Sequence, residues 1–320
     1  MVRVYPQELK PRTLSLPPTD AHDIVVITGP ALRHQRFALR IISEFGPQVR
    51  AWYQLTRPST ASSSRLQRFK KQVLGSQGGA RAFWDKALTY TQAVGATEAY
   101  RRASLMVRDR YYLRQRVKRI SAAEQRMFGR EIERMKGTSH LEPQLVSPMD
   151  VNSADFVQEL QAIAPYFLLT LGGPLYRRPL LRAARGAAIN QHAGHSPMLR
   201  GSYTAEWALY HRNLDYVSNT VHITTSGADA GPILRRSHPC LFPKDTQEEV
   251  FARVVALGTE LLIESVRDII DNKEVTVFDQ PPESGRTRLA SEYNATVYQQ
   301  VEHDFRNRWL EDELKRVRQF

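Results

Sequence analysis

Asp23–Phe45 reads DIVVITGPALRHQRFALRIISEF. Its first six residues form a short β-branched run, the composition of a strand buried on both faces. Gly29-Pro30 breaks the run. From Leu32 to Phe45 the apolar positions Phe37, Ile41 and Ile42 return to one side of a helix. Strand, glycine turn and helix open a βαβ unit, and such units build a parallel sheet covered by helices.

Working outward, Val49–Leu55 (VRAWYQL) reads as a second strand. Pro165–Leu171 (PYFLLTL) is a continuous apolar run suited to a central parallel strand. Gly172-Gly173 ends it, a helix is expected over Arg178–Arg185, and a short strand over Ala187–Asn190. Two more strands are expected at Val217–Ile223 and Pro232–Arg235. Asn152 or Ser153 can cap a helix running through Ile163. Thr246 with Glu249 has capping-box spacing ahead of a helix to Ile270, with Val250, Val254, Leu257, Leu261 and Ile269 on its apolar face. The class is α/β: an open, mostly parallel sheet with helices on both faces. Residues 1–20 read as a Pro-rich leader and 21–280 as the main domain. Within it, about 58–140 reads as a helical insertion, because a βα unit needs only a few connecting residues. Residues 281–320 read as a C-terminal helical appendage, with Tyr298, Phe305, Trp309 and Leu314 as its apolar positions.

The 320 residues are 42% hydrophobic and 24% charged, ordinary for a globular chain. No apolar stretch reaches the roughly 20 residues a membrane helix needs, and the N-terminus lacks a signal-peptide core. The single cysteine, Cys240, excludes an intramolecular disulfide and a cysteine-rich metal site, so a reducing cytoplasm is the expected compartment and no metal is expected. The net charge is +12. Between Arg101 and Gly137 twelve Lys/Arg face four Asp/Glu, so about an eighth of the chain carries two-thirds of the excess. Such a patch attracts polyanions or anionic small molecules, and the segment is expected to be helical, to lie outside the common core, and to serve acceptor capture or self-association.

The chemistry concentrates between Ala188 and Leu234: AINQHAGHSPMLRGSYTAEWALYHRNLDYVSNTVHITTSGADAGPIL. A strand ends on Asn190, with His192 two residues on. Thr220-x-His222 follows in a later strand, and Asp229 stands seven residues beyond His222 in an Asp-Ala-Gly turn closed by Gly231. The carboxyl ends of parallel strands are where open α/β sheets place their sites. In order and spacing these three motifs resemble the folate-dependent formyltransferases, the family of glycinamide ribonucleotide, methionyl-tRNA and sugar N-formyltransferases. The family usually has Pro after the histidine, where this chain has Ala193-Gly194.

The resemblance implies a Rossmann-like fold and a catalytic centre of Asn190, His192 and Asp229. It implies 10-formyl-tetrahydrofolate as formyl donor, with the folate beside Gly173, Pro174 and Leu175 on one side and Thr225, Ser226, Gly227 and Ala228 on the other. Amine addition to a formyl carbon develops an oxyanion, which an amide donor such as Asn190 can bond without changing charge. His192 would support the same oxygen, and Asp229 would raise the histidine's pKa and relay the amine proton. His222 reads as a supporting histidine. The acceptor is expected to be a small or nucleotide-linked amine, anionic in one version, with Arg33, Arg36, His195 and Arg200 as candidate contacts. A methionyl-tRNA acceptor is the second reading and a non-catalytic basic RNA-binding protein the third; a homodimer is a candidate assembly.

Overall fold

A computed structural model of the chain describes residues 5–6, 8–57, 88–89, 91–272 and 274–317. The rest, including most of the first half of the segment read as an insertion, lie outside the described residues. The strands are β1 (Pro11–Ser15), β2 (Ile24–Thr28), β3 (Val49–Leu55), β4 (Gln144–Val146), β5 (Phe167–Leu171), β6 (Ala187–His192), β7 (Leu199–Gly201), β8 (Asn219–Ile223), β9 (Ile233–Ser237), β10 (Glu274–Phe278) and β11 (Arg286–Arg288). The principal helices are α1 (Leu32–Phe45), α2 (Ala96–Lys136), α3 (Ala154–Ile163), α4 (Arg178–Leu181), α5 (Thr204–Tyr210), α6 (Gln247–Asp271), α7 (Ala295–Arg306) and α8 (Trp309–Val317).

One nine-stranded sheet has the order β1-β10-β9-β8-β6-β5-β2-β3-β4. It is parallel from β6 through β5, β2 and β3 to β4, and antiparallel from β6 outward through β8, β9 and β10 to β1. The apolar run of β5 is buried along its whole length, as a strand covered on both faces must be. On one face α1, α2 and α6 supply Phe37, Ile41, Phe128, Ile132, Leu262 and Val266 to the main core. On the other, α3 and α4 supply Phe156, Leu160 and Leu180.

Local signals explain the helix starts. Ser153 caps α3 by accepting from the Phe156 N–H at 3.2 Å. The Thr246/Glu249 box opens α6, with reciprocal bonds of 3.2 and 2.9 Å. The helix expected over Arg178–Arg185 stops at Leu181, a single turn.

Three peripheral segments pack onto the sheet and its helices. The leader is not separate from the sheet: Pro11–Ser15 pairs antiparallel with β10. The basic segment is helical, but its second half is core. Ile120, Ala123, Phe128 and Ile132 are buried, and Phe128 and Ile132 join the cluster under α1 and α6. The C-terminal segment is helical, as expected, and packs against α5 and α6. Val301 and Leu310 pack with Leu199, Leu209, Val250 and Val254, and β11 pairs parallel with β7. These elements bring distant sequence to the edge of one cavity.

Much of the α2 charge is internally paired. Arg116 bonds Glu206 with side chains only 11% and 5% exposed, and Arg119 bonds Glu302. Removing Arg116 leaves a buried carboxylate without its counter-ion, which typically costs about 3–5 kcal/mol. Arg116→Ala should therefore lower unfolding stability in urea by about that amount, whereas Arg114→Ala, at an exposed position, should stay within about 0.5 kcal/mol. Equal effects would contradict the paired role of Arg116.

Candidate active site

Strand register explains the two motifs. β6 and β8 are antiparallel neighbours in which Asn190 faces His222 and His192 faces Thr220. Residues two apart on a strand share a face. The Asn-x-His pair thus lies opposite Thr-x-His as a two-by-two set. Thr170, aligned with Asn190 on β5, donates its hydroxyl to Asn190 Oδ1 at 2.8 Å. That contact turns Asn190 Nδ2 toward His222 Nε2, 3.2 Å away, and Asp229 Oδ1, 3.4 Å away.

Asp229 arrives from the loop joining β8 to β9, on an antiparallel strand pair rather than at the carboxyl end of a parallel strand. It adopts φ 48°, a left-handed conformation that Asp tolerates better than most residues. Gln280 holds the turn by donating to the Asp229 and Gly231 carbonyls at 2.9 and 2.6 Å. The carboxylate then meets four donors or rings. His192 Nδ1 lies 3.2 Å from Oδ2, His222 Nε2 3.3 Å and Asn190 Nδ2 3.4 Å from Oδ1, and the Gly201 N–H donates to Oδ2 at 2.9 Å. Burial alone would push this carboxyl up. His192, His222 and the Gly201 N–H reverse that and hold it well below the usual carboxylate range.

His192 is 6% exposed. Its Nδ1 faces Asp229, and its Nε2 lies 3.0 Å from the Leu199 carbonyl. Both ring nitrogens therefore face acceptors, and a neutral ring can donate to only one of them. Burial lowers its pKa, with the Asp229 charge acting in the opposite direction.

These residues line a cavity of about 790 Å³. One side holds Gly173, Pro174 and Leu175 together with Thr225, Gly227 and Ala228. Ser226 does not line it. Gly172 and Gly173 have φ of 76° and 114°, so the backbone itself forms that wall, and a Cβ on Gly173 would lie 2.4 Å from the Tyr176 hydroxyl. Beside it, the buried Thr224 hydroxyl has no hydrogen-bond partner among the described residues. A flat heterocycle with ring donors and acceptors fits such a backbone slot with a spare hydroxyl.

Of the four residues expected to bind substrate, Arg33 lines this cavity, whereas Arg36, His195 and Arg200 do not. Arg33 pairs with Glu124 at 2.6 Å, and Arg36 with Glu131 and Glu260 at 2.8 and 3.3 Å, so their charges are used within the fold. His195 is buried against Tyr216 and sits 3.0 Å from the Ser218 hydroxyl. Arg200 donates to the Ser284 carbonyl at 2.8 Å and ties β7 to the C-terminal segment. In their place the cavity is closed by Arg116, Tyr203 and Glu206, and by Thr287, Arg288 and Leu289 after the main domain. Arg116 lies over the Tyr203 ring at 4.6 Å and Arg288 over Trp207 at 4.0 Å. Arg116 belongs to the basic segment expected to capture the acceptor. Tyr203, Glu206, Thr287, Arg288 and Leu289 were missed because their partners lie far along the chain, and the Trp and Tyr beside Glu206 were the available signal. Among the described residues no group of three His, Cys, Asp or Glu is arranged to hold a metal, and no helix is long and apolar enough to cross a membrane.

Burial holds His34, His192 and His195 below the ordinary histidine value, His195 down to about 3. Below the free value of about 6.5 the unfolded chain then binds more protons than the folded one, and stability falls as pH falls. Calorimetry should give a lower Tm at pH about 5 than at about 7, a window above the carboxylate range. A Tm flat across that window would contradict the neutral histidines.

Residues 114–266, a stretch that holds Asn190, His192 and Asp229, match the family described as formyl transferase. It is similar to the methionyl-tRNA formyltransferase of Myxococcus xanthus, 26% identical over 38% of this chain and 38% of that protein. It is also similar to that of Desulfotalea psychrophila, 29% identical over 39% of each. The matches thus span under half the length of these curated relatives. Among solved structures it superposes on a sugar N-formyltransferase from a Shewanella species with TM-score 0.48, 13% identity, and 85% and 78% of the two chains covered.

Proposed function

We propose that the chain is an N-formyltransferase that moves the formyl group of 10-formyl-tetrahydrofolate to the amine of a small or nucleotide-linked acceptor. The observation that carries this reading is the Asp229 carboxylate held within 3.2–3.4 Å of His192, His222 and Asn190 in the wall of one cavity. The slot of Gly173–Leu175 with Thr224, Thr225, Gly227 and Ala228 would hold the folate, which would supply the activated formyl group.

In this reading Asn190 Nδ2 donates to the formyl oxygen as charge develops on it. Asp229 accepts the amine proton directly or through one water. A new C–N bond forms to the amine, the bond to the folate nitrogen breaks, and the proton ends on the departing nitrogen. His192 acts through Asp229 rather than on the oxygen, because both its nitrogens are already engaged. A second proton on the ring satisfies the Leu199 carbonyl and Asp229 together, so the pair can carry a proton between steps.

The second reading, methionyl-tRNA as acceptor, rests on the exposed Arg110, Arg114, Lys118, Arg130 and Arg134 of α2 and on the relatives' names. Incubation with the folate donor and a panel of amines, methionyl-tRNA included, separates them. The first reading expects a small-molecule product heavier by one CO and no tRNA gel shift. Formylation of methionyl-tRNA alone would replace it with the second.

A further inference from the structure

The turn from β2 into α1 faces the cavity through Arg33 and His34. A helix N-terminus there, with free N–H groups and the positive end of its dipole, suits an anionic group. In this chain the position is filled from within. Glu124 of α2, 1% exposed, accepts from the Arg33 guanidinium at 2.6 Å and from the Arg33 backbone N–H at 3.4 Å. The Ala31 N–H is taken as well, donating to His34 Nδ1 at 3.1 Å. With Arg36 held by Glu131 and Glu260, no cation of the turn is left over.

What the turn still presents is His34. Because Nδ1 accepts, the proton of the neutral ring sits on Nε2. The ring is 8% exposed and packs over two glycines. A Cβ on Gly29 would lie 2.5 Å from Cε1, and one on Gly172 3.0 Å from Nε2, so only glycine at these places leaves room for it. Among the described residues no group accepts the Nε2 proton, and His34 lines the cavity with Asn190.

We propose that this turn is closed to phosphate by Glu124 and instead offers the acceptor one uncharged donor, His34 Nε2–H, which binds a carbonyl or hydroxyl oxygen next to the reacting amine. The word acceptor rests on the formyltransferase reading; the closure and the tautomer do not. Burial, and after it the Arg33 charge, keep His34 neutral.

Three measurements on the full chain test this. Calorimetric titration with inorganic phosphate should show no binding to the wild type, while Glu124→Gln, which frees Arg33, should gain it. Phosphate bound by the wild type at the Ala31–Arg33 amides overturns the closure, and that titration decides even if the variant fails to fold. Nitrogen NMR should show His34 as the Nε2–H tautomer, without titration, from pH about 5 to about 7. Titration near the free value of about 6.5 overturns the donor. Neither needs turnover, so both stand apart from the proposed activity. In the third, His34→Ala should raise KM for the formylated amine about tenfold, the upper range for one hydrogen bond, with kcat and tetrahydrofolate affinity little changed. His34→Gln, which keeps a donor, should recover part of the loss. An unchanged KM, or a loss confined to tetrahydrofolate, overturns the assignment to the acceptor.

Discussion

Asp229→Asn is expected to lower kcat by about 10²–10⁴-fold, the range for loss of a positioned proton acceptor, with a much smaller change in acceptor KM. The side chain keeps its size, so the cavity is unchanged in shape. What changes is charge. The carboxylate accepts from the Gly201 N–H and faces three side-chain nitrogens. An amide can accept through one oxygen only, and its NH₂ would be set against one of these donors. It also cannot take the amine proton. Circular dichroism and the thermal midpoint should show a folded protein, because the turn is held by Gln280 through backbone carbonyls rather than through the carboxylate. A variant that keeps near-native turnover would remove Asp229 from the chemistry.

Gly231→Ala should be as damaging by a different route. A Cβ at this position would lie 1.8 Å from the Ile223 carbonyl oxygen, a backbone atom fixed within β8. No rotamer relieves such a contact, so the loop must move. The bond from the Ile223 N–H to the Pro232 carbonyl, 2.9 Å, anchors the same place. Displacing the turn carries Asp229 away from His192 and Asn190, and misplacement of about 1 Å can cost on the order of 10²-fold in rate. Stability should fall by about 1–3 kcal/mol, the usual cost of overpacking a tight site. Kinetics and urea unfolding of the one variant read both effects. Native rate and stability would show that the close approach of loop and strand is not required.

The features legible in the sequence were those whose cause is local. The β-branched run before Gly29, the all-apolar β5 and the Thr246/Glu249 box each depend on neighbours within a few residues. The proposed catalytic set of Asn190, His192 and Asp229 could be named because its motif order and spacing resemble the formyltransferase family, and the two two-residue spacings fall on paired strands. Contacts between distant segments left none. Glu124 reaches Arg33 across ninety-one positions and Glu206 reaches Arg116 across ninety, so the arginines looked available when they were engaged. The short strands β4, β7 and β11, three residues each, carry too little pattern to separate from loop. The C-terminal wall of the cavity was missed with them, since β11 is placed only by its pairing with β7.

Transfer itself is the most direct test. The donor is 10-formyl-tetrahydrofolate carrying an isotopic label on the formyl carbon, given with a mixed pool of amino sugars, nucleotide-linked amino sugars and amino acids. NMR then follows the labelled carbon. With wild-type protein the label should leave the folate and appear as a formamide on one class of amine, and with Asp229→Asn the same conversion should be slower by at least about a hundredfold. Label that stays on the folate with every amine and with methionyl-tRNA, or that moves at equal rates with both proteins, would contradict the account.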